Sequence, residues 1–189
     1  IAIRIARMAA DLGLPSVALF SEDDAASLHV KAADAAQPLP GVGPAAYLAI
    51  DQVVAAARAV GCDAVHPGYG FLSENAEFAK RVEEEGIVFI GPKHYSIAAM
   101  GDKIESKRLA GAAGVNCIPG VNEPIASPEQ TVEIARSIGY PVMIKASAGG
   151  GGKGLRVAHD DKEALEGFTS CRNEARNSFG DDRVFIEKF

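Results

Sequence analysis

The sequence predicts an α/β protein, a parallel-sheet unit followed by a smaller α+β module, and three observations carry that reading. Through about residue 90, short apolar runs alternate with amphipathic helical patterns, the signature of parallel strands joined by crossover helices. At Gly91 the pattern changes to two short helices and a linking stretch. Beyond it lies the run Tyr140-Pro-Val-Met-Ile-Lys145-Ala-Ser-Ala-Gly149-Gly-Gly-Gly-Lys153-Gly154-Leu-Arg-Val157. There an apolar strand tipped by a lysine enters a glycine-rich loop and leaves through a second apolar run.

The first element is a helix, with Ile1, Ile5, Met8 and Leu12 on one face and Gly13 as its stop. Asp11 and the tight join to the next strand favour a structural helix over an Arg-rich transit peptide. Residues 15–20 read as a buried strand, 21–27 as a polar stretch, and a loop follows. The helix over 44–60 has Pro44 near its start and Gly61 past its end. A strand over 63–66, a helix over 73–85 capped by Ser73, and a strand over 87–90 complete the first unit. Such a sheet ordinarily opens on a strand, so one is expected to precede Ile1.

Helices over 95–100 and 103–113, the second with Asp102 as its N-cap, lead to the second unit. Ser127-Pro128-Glu129-Gln130 is a capping box with proline at the first helical position, and its helix stops at Gly139. The glycine-tipped hairpin, a helix over 160–179 and a strand over 183–189 follow. The sequence ends on a strand, and more of this module is expected beyond it. The resulting division is 1–92, a linking segment 93–126, and 127–189.

Composition narrows the function classes. The 189 residues are 48% hydrophobic and 23% charged, as in an ordinary globular protein. A formal charge of -6 and the lack of a basic cluster argue against nucleic acid as a partner. Cys62, Cys117 and Cys171 are far apart and form no C-x-x-C pair, which suggests free thiols in a reducing compartment. Neither H-E-x-x-H nor a Cys/His cluster points to zinc. No apolar stretch approaches the roughly 18 residues of a membrane span, so no membrane partner is expected.

Ordering four consecutive glycines costs more backbone entropy than ordering any other residues, so the loop needs a reason beyond folding. Close approach of backbone N–H groups to an anion supplies one. A Walker loop would need Ser or Thr after Gly152-Lys153, where Gly154 stands instead. Gly149, Gly151 and Gly154 satisfy G-x-G-x-x-G, but that fingerprint requires a helix to follow, and here a strand does. What remains is a hairpin lid over a polyphosphate, with Lys145 and Lys153 meeting phosphate oxygens as point charges. The competing reading is a long turn with two solvated lysines.

Three further segments carry paired readings. His66-Pro-Gly-Tyr-Gly-Phe-Leu-Ser-Glu-Asn75 lies between a strand and a helix, where open α/β sheets bind ligands. With no recognisable chemical trio, it reads better as a tight turn with Tyr69 and Phe71 packed into an interdomain core. Lys103, at the positive end of its helix, either adds to an anion site or is a surface lysine; Lys107, one turn later, is read as pointing to solvent. Glu187-Lys188-Phe189 is either an ordinary strand end or an extended hinge whose free backbone groups meet a base.

The segments 66–75, Met100-Gly-Asp-Lys103 and Lys145 to Gly154, in this order and spacing, resemble the biotin carboxylase component of biotin-dependent carboxylases over essentially the whole chain. Residues 100–107, 115–120, 178–183 and 186–189 are most similar to the acyl-CoA carboxylases of that family that take propionyl-CoA; the acceptor itself is not written in these residues, and pyruvate, acetyl-CoA, methylcrotonyl-CoA and urea carboxylases stay open as parents. The resemblance implies a pre-ATP-grasp α/β domain and an ATP-grasp module whose glycine-rich lid swings over ATP. It implies that Lys103 and Lys145 contact ATP phosphates, and that Gly149, Gly150, Gly151, Gly152 and Gly154 belong to the phosphate-covering loop. Glu187, Lys188 and Phe189 would form the adenine hinge.

The chemistry so implied is attack of bicarbonate on the γ-phosphate of ATP, with Mg2+ (or Mn2+), to give carboxyphosphate and ADP. Carboxyphosphate then yields the carbon dioxide captured by N1′ of biotin. Biotin would be carried on a separate carrier domain, with a carboxyltransferase subunit as the further partner, in an oligomeric parent enzyme. The compartment would be the bacterial cytoplasm or, in a eukaryote, the mitochondrial matrix. The family's metal-binding acidic residues, bicarbonate-binding arginine and catalytic glutamate have no counterpart in these residues. No catalytic or metal-ligating residue is therefore expected within them, and alone they are expected to be inactive. Another ATP-grasp ligase such as carbamoyl-phosphate synthetase, or a nonenzymatic nucleotide-binding fragment, stays open.

Overall fold

The computed structural model of the chain describes residues 1–121, 123–148 and 152–189. They form two compact units, Ile1–Ala98 and Ala99–Phe189.

In the first unit, α1 (Ala2–Asp11) leads to β1 (Val17–Ser21), a 3-10 turn (Glu22–Asp24), α2 (Leu28–Ala32) and β2 (Ala35–Leu39). There follow α3 (Gly43–Leu48), α4 (Ile50–Ala59), β3 (Ala64–Val65), α5 (Ala76–Glu84) and β4 (Val88–Phe89), and then α6 (His94–Gly101), which spans the division between the units. The strands pair in parallel, as their alternation with helices predicts. They do so as two separate pairs, β1 with β2 in the register Val17↔Ala35 and β3 with β4 in the register Ala64↔Val88. Val53, Val54, Phe78, Val82 and Phe89 lie in one core, where the rings of Phe78 and Phe89 meet edge to face at 5.9 Å.

Several details of this unit differ from the sequence reading, α2 among them, which stands where a loop was expected. Strand β2 stands where a loop was expected, because Ala-Ala-Gln-Pro-Leu carries no β-branched residue to announce it. The helix expected over 44–60 is two helices, broken at Ala49, whose ψ of 92° is extended. Asn75, not Ser73, caps α5, its side chain accepting from the Phe78 N–H. The apolar stripe of α1 forms, but Ile1, Met8 and Leu12 are exposed and Ala6 is the buried residue.

In the second unit α7 (Lys103–Ala112), α8 (Pro128–Ile138) and α9 (Asp161–Phe179) accompany an antiparallel sheet. Its strands are β5 (Val142–Ala146), β6 (Leu155–Ala158) and β7 (Val184–Lys188), in the order β6-β5-β7. The predicted caps hold: Asp102 accepts from the Ile104 and Glu105 N–H groups, and Ser127 from Gln130. The reciprocal arm of the second cap reaches one residue further than a capping box requires, with Gln130 accepting from the Ala126 N–H at 2.8 Å.

Strand periodicity then sorts the side chains of the sheet. Val142 and Ile144 of β5 join Val184 and Ile186 of β7 in a core with Ala135 and Phe168. The alternate residues, Lys145 on β5 and Phe185 and Glu187 on β7, are carried to the other face. A one-residue slip would exchange the two sets, so burial of the valines and isoleucines fixes where the charged groups stand.

Candidate phosphate-binding site

On that other face lies a cleft of about 310 Å³ lined by Lys103, Ser106, Lys107, Lys145, Gly152, Lys153, Gly154, Phe185 and Glu187. All belong to the second unit. Four lysines and one acidic side chain thus share a small space, the electrostatics of an anion site.

Each cation is set by a different element. Lys103 opens α7, and its ammonium donates to the Ala146 carbonyl at 3.3 Å. Burial, with Lys145 nearby, lowers the pKa of Lys103. Lys145 stands at β5 opposite Phe185 and pairs diagonally with Glu187. Lys107 does not point to solvent as its sequence position suggested. Its side chain is 16% exposed, donates to Glu187 Oε2 at 3.0 Å and to the Ile118 carbonyl at 3.2 Å, and stands 5.7 Å from the Phe185 ring centroid. Lys107 stands four positions after Lys103, so one helix face carries both, a signal present in the sequence.

Glu187 answers these charges with a side chain only 7% exposed. Burial raises its pKa, but hydrogen bonds from Lys145 and Lys107 outweigh that effect and leave it below the ordinary carboxylate value. The expected free backbone edge is absent at this strand. Residues 119–121 and Ile125 lie along it, with Lys188 N–H donating to Pro119 O at 2.8 Å, Val121 N–H to Ile186 O at 3.1 Å and Ile125 N–H to Val184 O at 2.9 Å. The Lys188 ammonium is committed to the carbonyls of Gly139, Tyr140 and Pro141 at 2.9–3.1 Å, just past the end of α8. Phe189 is exposed, its N–H donating to Pro141 O at 3.2 Å.

The two sides of the glycine loop are fixed by close backbone contact. Ala146 N–H donates to Gly154 O at 2.7 Å, and the buried thiol of Cys171 donates to the same oxygen at 2.9 Å. Gly154 has φ +65°, and a Cβ there would lie 2.7 Å from that of Ala146, so glycine is required twice over. Gly152, at φ +81°, lines the cleft. Gly149, Gly150 and Gly151 lie outside the described residues.

Sequence reasoning located Asp102 as a cap but not as a node. Its carboxylate also accepts from Arg183 at 2.9 Å and from the Ser147 hydroxyl at 3.2 Å, tying the start of α7 to β5 and β7. Burial raises its pKa, while the Glu105 N–H and Arg183 bring it below the usual value. In the first unit Tyr69 and Phe71 are 77% and 57% exposed, and Leu72 is the buried residue of that turn. His66 accepts locally from the Gly68 N–H. Among the described residues no group of three or more His, Cys, Asp or Glu could hold a metal ion, and no helix is long and apolar enough to cross a membrane.

Comparison with known proteins agrees with this anatomy. Residues 1–97 match the biotin carboxylase N-terminal domain, and residues 102–189 match the carbamoyl-phosphate synthase L chain ATP-binding domain. The propionyl-CoA carboxylase alpha chain of Ruegeria pomeroyi is 55% identical and the mitochondrial one of Homo sapiens 54%, each over the whole of this chain. The chain spans 28% and 26% of their respective lengths. A biotin carboxylase–β,γ-ATP complex from Campylobacter jejuni is 38% identical with a TM-score of 0.93. The biotin carboxylase domain dimer of Hydrogenobacter thermophilus 2-oxoglutarate carboxylase, in complex with MgADP, ADP and bicarbonate, is 43% identical with a TM-score of 0.91. Each comparison covers all of this chain and 42% of that one. The chain belongs to the biotin carboxylase family.

Proposed function

We propose that the chain is the nucleotide-gripping part of a propionyl-CoA carboxylase alpha chain, which carboxylates biotin with bicarbonate and ATP through carboxyphosphate. The convergence of Lys103 and Lys145 with the glycine loop on one cleft carries this reading. Lys103 and Lys145 neutralise charge on the transferred phosphoryl group, and the loop amides of residues 149–154 cover it. Residues 187–189 flank the adenine. Mg2+ enters bound to the nucleotide, and no step is assigned to a metal ligand of these residues.

In this reading biotin arrives on a carrier domain, and a carboxyltransferase subunit passes the carboxyl group to propionyl-CoA. Residues 1–92 form the pre-ATP-grasp domain, 93–126 link, and 127–189 form the lid and hinge. The assembly is oligomeric, in the cytoplasm of a bacterium or the matrix of a mitochondrion. These 189 residues alone do not turn over ATP or biotin.

The test is ATP-dependent carboxylation of free biotin by the full-length protein beside Lys145→Ala. Activity lost in the variant supports the reading. Bicarbonate-dependent ATP cleavage without biotin turnover would instead favour a carbamoyl-phosphate-synthetase-like ligase, to whose ATP-binding domain residues 102–189 are similar.

A further inference from the structure

Glu187 divides its carboxylate between two cations, with Oε1 accepting from Lys145 and Oε2 from Lys107. Resting on the phosphate role proposed for Lys145, a conflict follows. An ammonium that turns to a phosphate oxygen leaves Glu187, and a carboxylate this buried is strongly disfavoured without a cation. Lys107 is built to stay behind, because its ammonium is held by the Ile118 carbonyl and stands over the Phe185 ring, 5.7 Å from its centroid.

We propose that Lys107 is a positioning residue that keeps Glu187 ionised and in place when Lys145 engages the nucleotide phosphates, so that the site fills without taking up a proton.

The charged groups facing Glu187 support this assignment. They are Lys103 and Lys107 from α7, Lys145 from β5 and Lys153 from the loop, and Glu187 is the one acidic side chain among the described residues lining the cleft. Lys103 is engaged with the Ala146 carbonyl and Lys153 is at the exposed tip. The outer-edge residues Pro119, Gly120 and Val121 bring no charge. On β7 itself Lys188 is anchored at residues 139–141.

The experiment is equilibrium binding of MgATP to the full-length protein between pH 5.5 and 8, comparing wild type, Lys107→Met and Lys107→Arg. In free Lys107→Met, Glu187 still has Lys145; in the bound state both ammonium groups that hydrogen-bond to its carboxylate are gone, so its pKa rises and binding takes up a proton. Acid therefore favours binding by this variant. Its Kd is expected to be weaker than wild type by about tenfold at pH 8, the loss of a charged hydrogen bond, with the deficit shrinking toward pH 5.5. Lys107→Arg should follow the wild-type profile. A variant-to-wild-type ratio that stays constant across the range would overturn the proposal. If thermal melting shows Lys107→Met unfolded, Lys107→Gln carries the same comparison. Wild-type protein that binds no ATP would overturn the nucleotide reading itself, and this inference with it.

Discussion

Lys145 and Glu187 form an ion pair across a diagonal of the β5–β7 ladder, where Lys145 stands opposite Phe185 and Glu187 opposite Met143. The pair exists because β-register carries both side chains to the face away from the aliphatic core. It also sets a reference state for the cleft, in which one carboxylate already occupies the lysine proposed to meet phosphate.

Glu187→Gln should therefore destabilise the fold, since Lys145 and Lys107 would face each other with no intervening negative charge. Removing one partner of a half-buried pair costs about 2 kcal/mol, read as a lowered urea midpoint of the full-length protein. The sign with pH is fixed by the lowered pKa of Glu187. Its contribution is present above the unfolded value near 4.5 and is lost as pH falls through the folded value. Wild type and variant should consequently converge in stability below pH 4.5, and an equal gap at all pH values would count against the pair.

Gly154→Ala should be more damaging than Gly152→Ala, whose added methyl would meet nothing within 4 Å. The methyl added at Gly154 would meet Ala146 Cβ at 2.7 Å in a backbone conformation that disfavours any side chain. Strain of this kind costs about 1–3 kcal/mol and displaces Ala146, whose carbonyl holds Lys103. Steady-state kinetics of the full-length protein should show a raised KM for ATP. An unchanged KM would mean that the loop tolerates the shift.

The parts legible in sequence were those written in local chemistry. The caps at Asp102 and Ser127, the hairpin around the glycine loop and the parallel pairing of the first unit follow from turn residues and period. The cleft was half legible: of the residues that line it, Lys103, Lys145, Gly152 and Gly154 announce themselves. Lys107 and Glu187 lie 80 residues apart and meet only through the sheet register and the packing of α7 against it. The free backbone edge expected at Glu187-Lys188-Phe189 failed for a related reason. The stretch before α8 looks like a linker, yet residues 119–121 line the strand because Gly120 has no Cβ, which would lie 2.5 Å from the Ile186 carbonyl oxygen.

Asp102→Ala and Asp102→Asn should separate the two tasks of that residue. Alanine removes both the cap of α7 and the contact to Arg183, whereas asparagine can keep capping the helix while losing the charge. A cap is worth about 1 kcal/mol, so alanine should lower stability more than asparagine. Arg183 retains Asp181 in either case. If both variants raise the KM for ATP to the same extent, the charge linking α7 to β7 positions Lys103; if only alanine does, the cap alone suffices.

The three thiols should differ sharply in reactivity, and the order follows from burial. Cys117 is exposed, Cys62 half-buried, and Cys171 fully buried with its thiol donating to the Gly154 carbonyl. Burial pushes the Cys171 pKa up to about 11. Because the thiolate is the reactive form, two pH units cut its reactive fraction at pH 8 by about 100-fold relative to a thiol of pKa 9, before access is counted. Alkylation followed by peptide mass spectrometry should label Cys117 first and Cys171 last. The same shift makes Cys171 a source of alkaline instability: its neutral form supports the fold below pH 9, and that support is lost as pH rises toward 11. Early labelling of Cys171 in the folded protein would show that the hydrogen bond from helix α9 to the closing glycine of the loop opens readily, and with it the strand end that carries Lys145.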